Sequence, residues 1–223
     1  MMIEEKKSGL KKRILLVGLL AVVLAAMSYS IFYKDIRMYP NEKAVVKSLI
    51  HLLSTEAVFW ALNPIDADAN GGKNYWTYDI SSFYRIKPRQ GVYGYFTGLD
   101  LAMADAAPAP DDLFGGEPRL YSFSDIKPTP YQGYFLRAML FDENGKAYNQ
   151  VTAGVTAVAV ANRDKFGIVA YPALYGETGR RTFIISKEGS IYYKDLGSDA
   201  AKIVLQWPPG GDPKEHGWEY ADP

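Results

Sequence analysis

Hydrophobic and polar positions along the chain fall into three regimes. First comes an unbroken apolar run: Ile14–Tyr33 carries no charge over about 20 residues, which as a helix rises roughly 30 Å and matches a bilayer core. The second regime has a helical period. Within Asn41–Leu62, Val46, Leu49, Ile50, Leu53, Ala57 and Trp60 fall on one stripe at i, i+3, i+4, i+7 spacing, which predicts an amphipathic helix. Asn41 can cap it, Glu42 suits its positive end, and Asn63-Pro64 should stop it.

The third regime alternates. Tyr131–Phe141 places Tyr134, Leu136, Ala138 and Leu140 on one face and Phe135, Arg137, Met139 and Phe141 on the other, with Asp142–Gly145 as the turn after it. Phe166–Gly197 predicts a meander of three strands: Phe166–Tyr171, Arg181–Ser186 and Ser190–Lys194. Gly176 and Gly179 supply its first turn, and Lys187-Glu188-Gly189 the second, Gly189 taking a left-handed conformation. Val151–Ala161 is small and β-branched and reads equally as a strand or a loosely helical segment. Ser198–Gln206 reads as a last helical turn or a short strand, with Trp207 and Trp218 anchoring the Pro/Gly-rich tail on the sheet.

Between helix and strands, Lys73–Ile86 is aromatic-rich and should pack against the helix end, with Ser81–Arg85 a short helical turn. Gly91–Gly98 is a loop, Leu99–Ala106 a short helix, and Ala107–Pro118 an exposed Pro/Gly/Asp-rich connection. The elements predict an α+β fold. An N-terminal transmembrane helix leads to an amphipathic helix packed on an antiparallel β-sheet, whose other face is wet or covered by loops.

Charge gives the first regime a direction. Lys6, Lys7, Lys11, Lys12 and Arg13 precede the apolar run. The positive-inside rule then makes 1–13 a cytoplasmic basic segment, 14–33 a single-pass membrane helix, and 34–223 an extracytoplasmic α+β domain. Small residues at Ala25, Ala26 and Ser28 would permit cleavage, but the run continues through Phe32, longer than a usual signal core, so an uncleaved anchor is expected. The 223 residues carry 25 basic and 25 acidic groups and no Cys. That rules out a disulfide framework or a lipoprotein anchor, leaves stability to packing, and gives no basis for nucleic-acid binding.

The candidate chemistry is one loop. Asp66-Ala-Asp68-Ala-Asn70-Gly71 spaces oxygen side chains as in the first half of a calcium loop, but the twelfth position is Thr77 and the next carboxylate is Asp79. Asp66, Asp68, Asn70 and Asp79 are therefore the candidate ligands, for calcium; the competing reading is a solvated Asp/Asn/Gly turn. His51 and His216 lack a metal-ligand pattern and read as partly buried or surface side chains. No Gly-x-Ser-x-Gly elbow, no thiol and no His-Glu-x-x-His is present, so no enzymatic activity, catalytic residue or cofactor other than calcium is expected.

With span, stripe helix and meander placed, the chain resembles the type IV pilins and type II secretion pseudopilins, whose hydrophobic helix continues as an amphipathic one over an antiparallel sheet; NEKAVVKSLIHLLSTEAVFW looks like the second half of such a helix. The pilin processing signature Gly-Phe-x-x-x-Glu is missing: Lys12-Arg13 runs into Ile14, and the span holds no acid. PYQGYFLRAMLFDENGKAY and FGIVAYPALYGETGRRTFIISKEGSIYYKDLG are similar to an uncharacterised bacterial exported family of unknown function, whose members share the Tyr-Gly-x-Thr-Gly loop and the Lys-Asp-Leu-Gly ending. Together these features lead us to expect a non-enzymatic, membrane-anchored envelope protein with a pilin-like external domain that acts through protein contacts. The alternative is an exported module binding carbohydrate or calcium through Tyr75, Trp76, Tyr78 and the Asp66–Asn70 loop.

Overall fold

The computed structural model describes residues 39–68, 70–84, 130–153, 158–200 and 205–221. The expected span 14–33, its basic flank and the readings made for 91–118 lie outside the described residues. A single long helix, α1 (Tyr39–Leu62), leads into a short strand β1 (Tyr75–Trp76) and a 3-10 turn at Ser81–Tyr84. The remaining strands are β2 (Tyr134–Ala138), β3 (Val151–Ala153), β4 (Val158–Asn162), β5 (Gly167–Pro172), β6 (Arg181–Ser186), β7 (Ile191–Asp195) and β8 (Glu219–Tyr220). They make two antiparallel sheets, one of order β1-β4-β3 and one of order β2-β5-β6-β7-β8. The fold is α+β. The predicted meander is β5-β6-β7, and the described residues of the ambiguous stretch, 151–153 and 158–161, lie in the paired strands β3 and β4.

Period-two alternation explains why the larger sheet is buried on both faces. Ile168, Ala170, Phe183 and Ile185 point into one core with α1, Leu136 and Trp76. Their neighbours Val169, Tyr171 and Ile184 point into a second core with Met139, Tyr148, Trp207 and Trp218. The far face is thus covered by the loop and tail residues, and both tail tryptophans dock as expected.

α1 differs from the predicted stripe. Its core side is Val45, Val46, Leu49, Leu52, Thr55, Glu56 and Phe59; Ile50 is 37% exposed and Ala57 is exposed, while Leu53 and Trp60 are half-buried. The buried face is turned by roughly one residue, about 100°, from the predicted one. The reason is compositional. Polar Ser48, Thr55 and Glu56 lie inside, while apolar Ile50, Val58 and Leu62 lie outside, so apolarity does not mark the core side. Ser48 and Thr55 tolerate burial because their hydroxyls donate to the carbonyls of Ala44 and His51 one turn back. α1 is also long and apolar enough to cross a membrane by length and composition.

Five buried apolar side chains, Val45, Val46, Leu49, Leu52 and Phe59, hold α1 in the core at about 1.5–3 kcal/mol each. The ion pair between Glu42 and Arg181, 3.5 Å and half open to solvent on the arginine side, adds about 0–1 kcal/mol. Packing therefore fixes the helix, and polar contacts set its rotation. Asn41 is not the N-cap. It lies within the described helix, and its side-chain amide donates to Thr178 O at 2.9 Å. Glu42 Oε1 accepts the backbone N–H groups of Arg180 and Arg181. The C-terminus follows expectation: Asn63 adopts φ +42°, donates its N–H to Phe59 O at 2.8 Å, and precedes Pro64.

Candidate functional site

Past the end of α1, alternation decides which side chains face the core. Ile65 and Ala67 pack against it, leaving Asp66 and Asp68 beside each other on the loop. Asp66 Oδ2 accepts the N–H of Gly71 at 2.8 Å, with Gly71 at φ +71°, so the chain doubles back over the carboxylate. Asn70 is spent within the turn. Its Oδ1 accepts the Gly72 N–H at 2.6 Å and its amide donates to Asp68 Oδ2 at 2.7 Å. Arg163, from the β4–β5 connection, brings its guanidinium onto the same Asp68 Oδ2 through Nε at 3.1 Å and through Nη2. Burial works to raise the Asp68 pKa, but Arg163, with contacts from Asp66 and Asn74, outweighs it and holds the carboxyl below its ordinary value.

Asp79, the fourth predicted ligand, is not gathered with Asp66 and Asp68. It is 1% exposed; Oδ1 accepts the Trp76 indole N–H at 3.1 Å, and Oδ2 accepts the Ser82 N–H at the start of the 3-10 turn. Among the described residues no three His, Cys, Asp or Glu side chains come together to hold a metal. Two residues that carry no signal in the sequence are brought to the loop, Asn74 and Arg163. Asn74 is fully buried, and its amide donates to Gly72 O at 3.2 Å. No local pattern predicts its burial, and Arg163 is brought to the loop only by the tertiary fold.

The aromatic surface expected around Tyr75, Trp76 and Tyr78 is only partly a surface. Trp76 is 2% exposed, packed at 5.9 Å from the Phe59 ring, with its indole N–H on Asp79. Its face is closed to a sugar. Trp60 and Tyr75 stack at 6.1 Å and an interplanar angle of 22°, under the ammonium of Lys73. His51 is exposed on α1, and exposed His216 brings Nε2 to 2.8 Å from Pro209 O, inside the tail.

An open cleft of about 390 Å³ lies between the β5–β7 meander and the tail, lined by Glu143, Tyr148, Lys165, Tyr192, Trp207 and Pro213 among others. Lys165 is its central charge. Burial opposes its ammonium, but 2.8 Å contacts to both Asp142 and Glu143 prevail and raise its pKa. Asp142 in turn is held below its usual value: burial is outweighed by Lys165 and by the N–H groups of Lys146 and Asn144. This triad closes the Asp142–Gly145 turn onto β4–β5, so Lys165 and Glu143 of the cleft wall are committed to the fold, while Asp164, Lys187 and Glu188 also line it.

Residues 106–218 match the family described as a protein of unknown function, DUF2950. The chain belongs to this family. The DUF2950 segment spans β2 to β7 and the tail helix turn, bearing out the expected resemblance of the C-terminal region to an uncharacterised family; α1, β1 and the Asp66 loop precede it. No curated protein and no solved structure matches the chain.

Proposed function

We propose that the protein is a non-enzymatic, membrane-anchored component of the cell envelope that acts through protein contacts made by the outer face of α1. The observation that carries this reading is the exposed apolar side chains on that face: Ile50, Val58 and Leu62 are 37%, 46% and 39% exposed, Leu62 one turn beyond Val58 and Ile50 about two turns before it. Exposed apolar side chains on a helix whose opposite side already fills the core mark an interaction surface. The anchor is the apolar run Ile14–Tyr33 behind its basic flank, which sets the cytoplasmic end by the positive-inside rule. The pilin-like part of the reading rests on the helix-over-sheet packing. Filament assembly is not part of it, because the span carries no acid to pair with a neighbouring subunit.

The test is fractionation together with a surface variant. The full chain should stay with membranes through an alkaline wash and be cut by external protease only after residue 33. Ile50→Glu/Val58→Glu should fold and stay in the membrane, yet migrate on a native gel without the larger complex formed by the wild type. Recovery only as a soluble product lacking 14–33, or an unchanged complex in the double variant, would overturn the proposal.

A further inference from the structure

The loop after α1 holds a group of oxygens that the fold itself does not use. Asn63 Oδ1, Asp66 Oδ1, Asp68 Oδ1 and Asn74 Oδ1 are each sealed from solvent and accept no hydrogen bond. A buried polar atom left without a partner costs about 1–3 kcal/mol, so four within one loop is a large deficit for a turn whose other polar atoms are so fully paired. Asn74 is the most telling. The residue is 0% exposed, and its amide nitrogen is taken by Gly72 O and lies against the Asp68 carboxylate. Both groups on that nitrogen are acceptors, so the amide cannot be reversed, and its oxygen is the atom left over. Asp66 and Asp68 also touch through their carboxyl groups, a contact that needs either a shared proton or a cation beside it.

We infer that this loop binds a hard divalent cation, calcium, through side-chain oxygens of Asp66, Asp68 and Asn74. All the donors are oxygens, with no imidazole or thiolate, which selects calcium or magnesium over zinc or copper. Calcium is favoured because it accepts irregular sets of carboxylate, amide and carbonyl oxygens, whereas magnesium demands a near-ideal octahedron. The ligand set differs from the one read off the sequence: Asn70 and Asp79 serve the protein's own donors, and Asn74 joins Asp66 and Asp68 instead. Arg163 tunes the site. Two carboxylates and one guanidinium leave a single net negative charge, which puts the dissociation constant at about 10⁻⁴–10⁻³ M, the range of weak extracellular calcium modules. The inference is independent of the contact surface on α1.

The experiment uses the full chain in detergent micelles, titrated with CaCl₂ and followed by thermal unfolding and by displacement of terbium luminescence. The wild type should gain a few degrees in melting temperature at about 10 mM calcium. Asp66→Asn keeps an acceptor for the Gly71 N–H and should fold, but should bind calcium at least about 10-fold more weakly. Arg163→Ala should bind more tightly than the wild type, because it frees Asp68 Oδ2 and removes the opposing charge. No calcium-dependent shift in the wild type, an equal shift from magnesium or from NaCl at the same ionic strength, or unchanged affinity in Asp66→Asn would each overturn the inference; the four oxygens would then be served by buried water.

Discussion

Gly179 tests the packing of the meander more sharply than any core leucine, because its role is purely one of space. A methyl group there would lie 2.0 Å from Tyr134 Oη, 2.5 Å from Cζ and 2.7 Å from Cε2, well inside van der Waals contact. Gly176 in the same loop needs its φ of +73°, whereas the Gly179 backbone is outside the left-handed region, so Gly179→Ala isolates the steric effect. Tyr134 cannot swing aside. It is 0% exposed, lies against Phe183 at 5.9 Å, and donates its hydroxyl proton to Arg181 O at 3.0 Å. Overpacking costs about 1–3 kcal/mol and loss of that hydrogen bond about 1 kcal/mol, giving a total of about 2–4 kcal/mol. For a chain of this size the melting temperature should fall by roughly 4–16 °C. The assay is urea unfolding followed by tryptophan fluorescence, for Gly179→Ala, Tyr134→Leu and the double variant. Leucine removes the atoms that clash, so the double variant should be more stable than the sum of the single losses by at least about 1 kcal/mol. A Gly179→Ala protein within about 0.5 kcal/mol of wild type, or strictly additive losses, would refute the reasoning.

Other consequences follow from particular side chains. Glu56 is 1% exposed on the core side of α1; burial raises its carboxyl well above the ordinary value, and the Trp76 N–H at 3.1 Å pulls the other way without prevailing. A raised folded pKa means that the folded state holds the proton more tightly. Stability from this group is thus full below the unfolded value of about 4.3, falls by about 1.4 kcal/mol per pH unit above it, and is gone once pH passes the folded pKa. Glu56→Gln keeps an acceptor for Trp76 N, so denaturation from pH 4 to 8 should show a flatter profile and a gain at neutral pH; a steeper profile or a loss at pH 8 would contradict this. Trp207→Ala opens the second core, where the indole is 6% exposed, and should cost about 3–5 kcal/mol in the same urea assay while leaving α1 packed; a cost under 1 kcal/mol would mean that the tail does not hold that face.

Much of the fold was legible in the sequence because short runs of β-branched and aromatic residues bounded by Gly and Pro announce strands. Phe183, Ile184 and Ile185 are apolar in succession, and this is how a strand covered on both faces reads. The rotation of α1 was hidden because Glu56, a core residue, looks like a surface one, while Ile50 and Val58 look like core. The tertiary setting supplies an N–H from β1 to this carboxyl, which offsets part of the cost of its burial. The Asp66 loop was visible as an oxygen-rich turn, and Asp66 and Asp68 were identified. Asn74 was not, since it looks like any linker residue, and Arg163 joins through the fold alone. Gly179 was read as a turn residue for its place in Tyr-Gly-x-Thr-Gly; its close approach to Tyr134 belongs to the packing of β2 against the β5–β6 loop.

The claim that the outer face of α1 is a contact surface is tested most directly by placing a photo-activated cross-linking amino acid at Val58 in the full chain and irradiating intact cells. Val58 should give a discrete adduct, Ile50 a weaker one and Glu177 in the β5–β6 loop none, and the Val58 adduct should be lost when Leu62→Glu is introduced. No adduct from Val58, or one that is equally strong from Glu177, would contradict it.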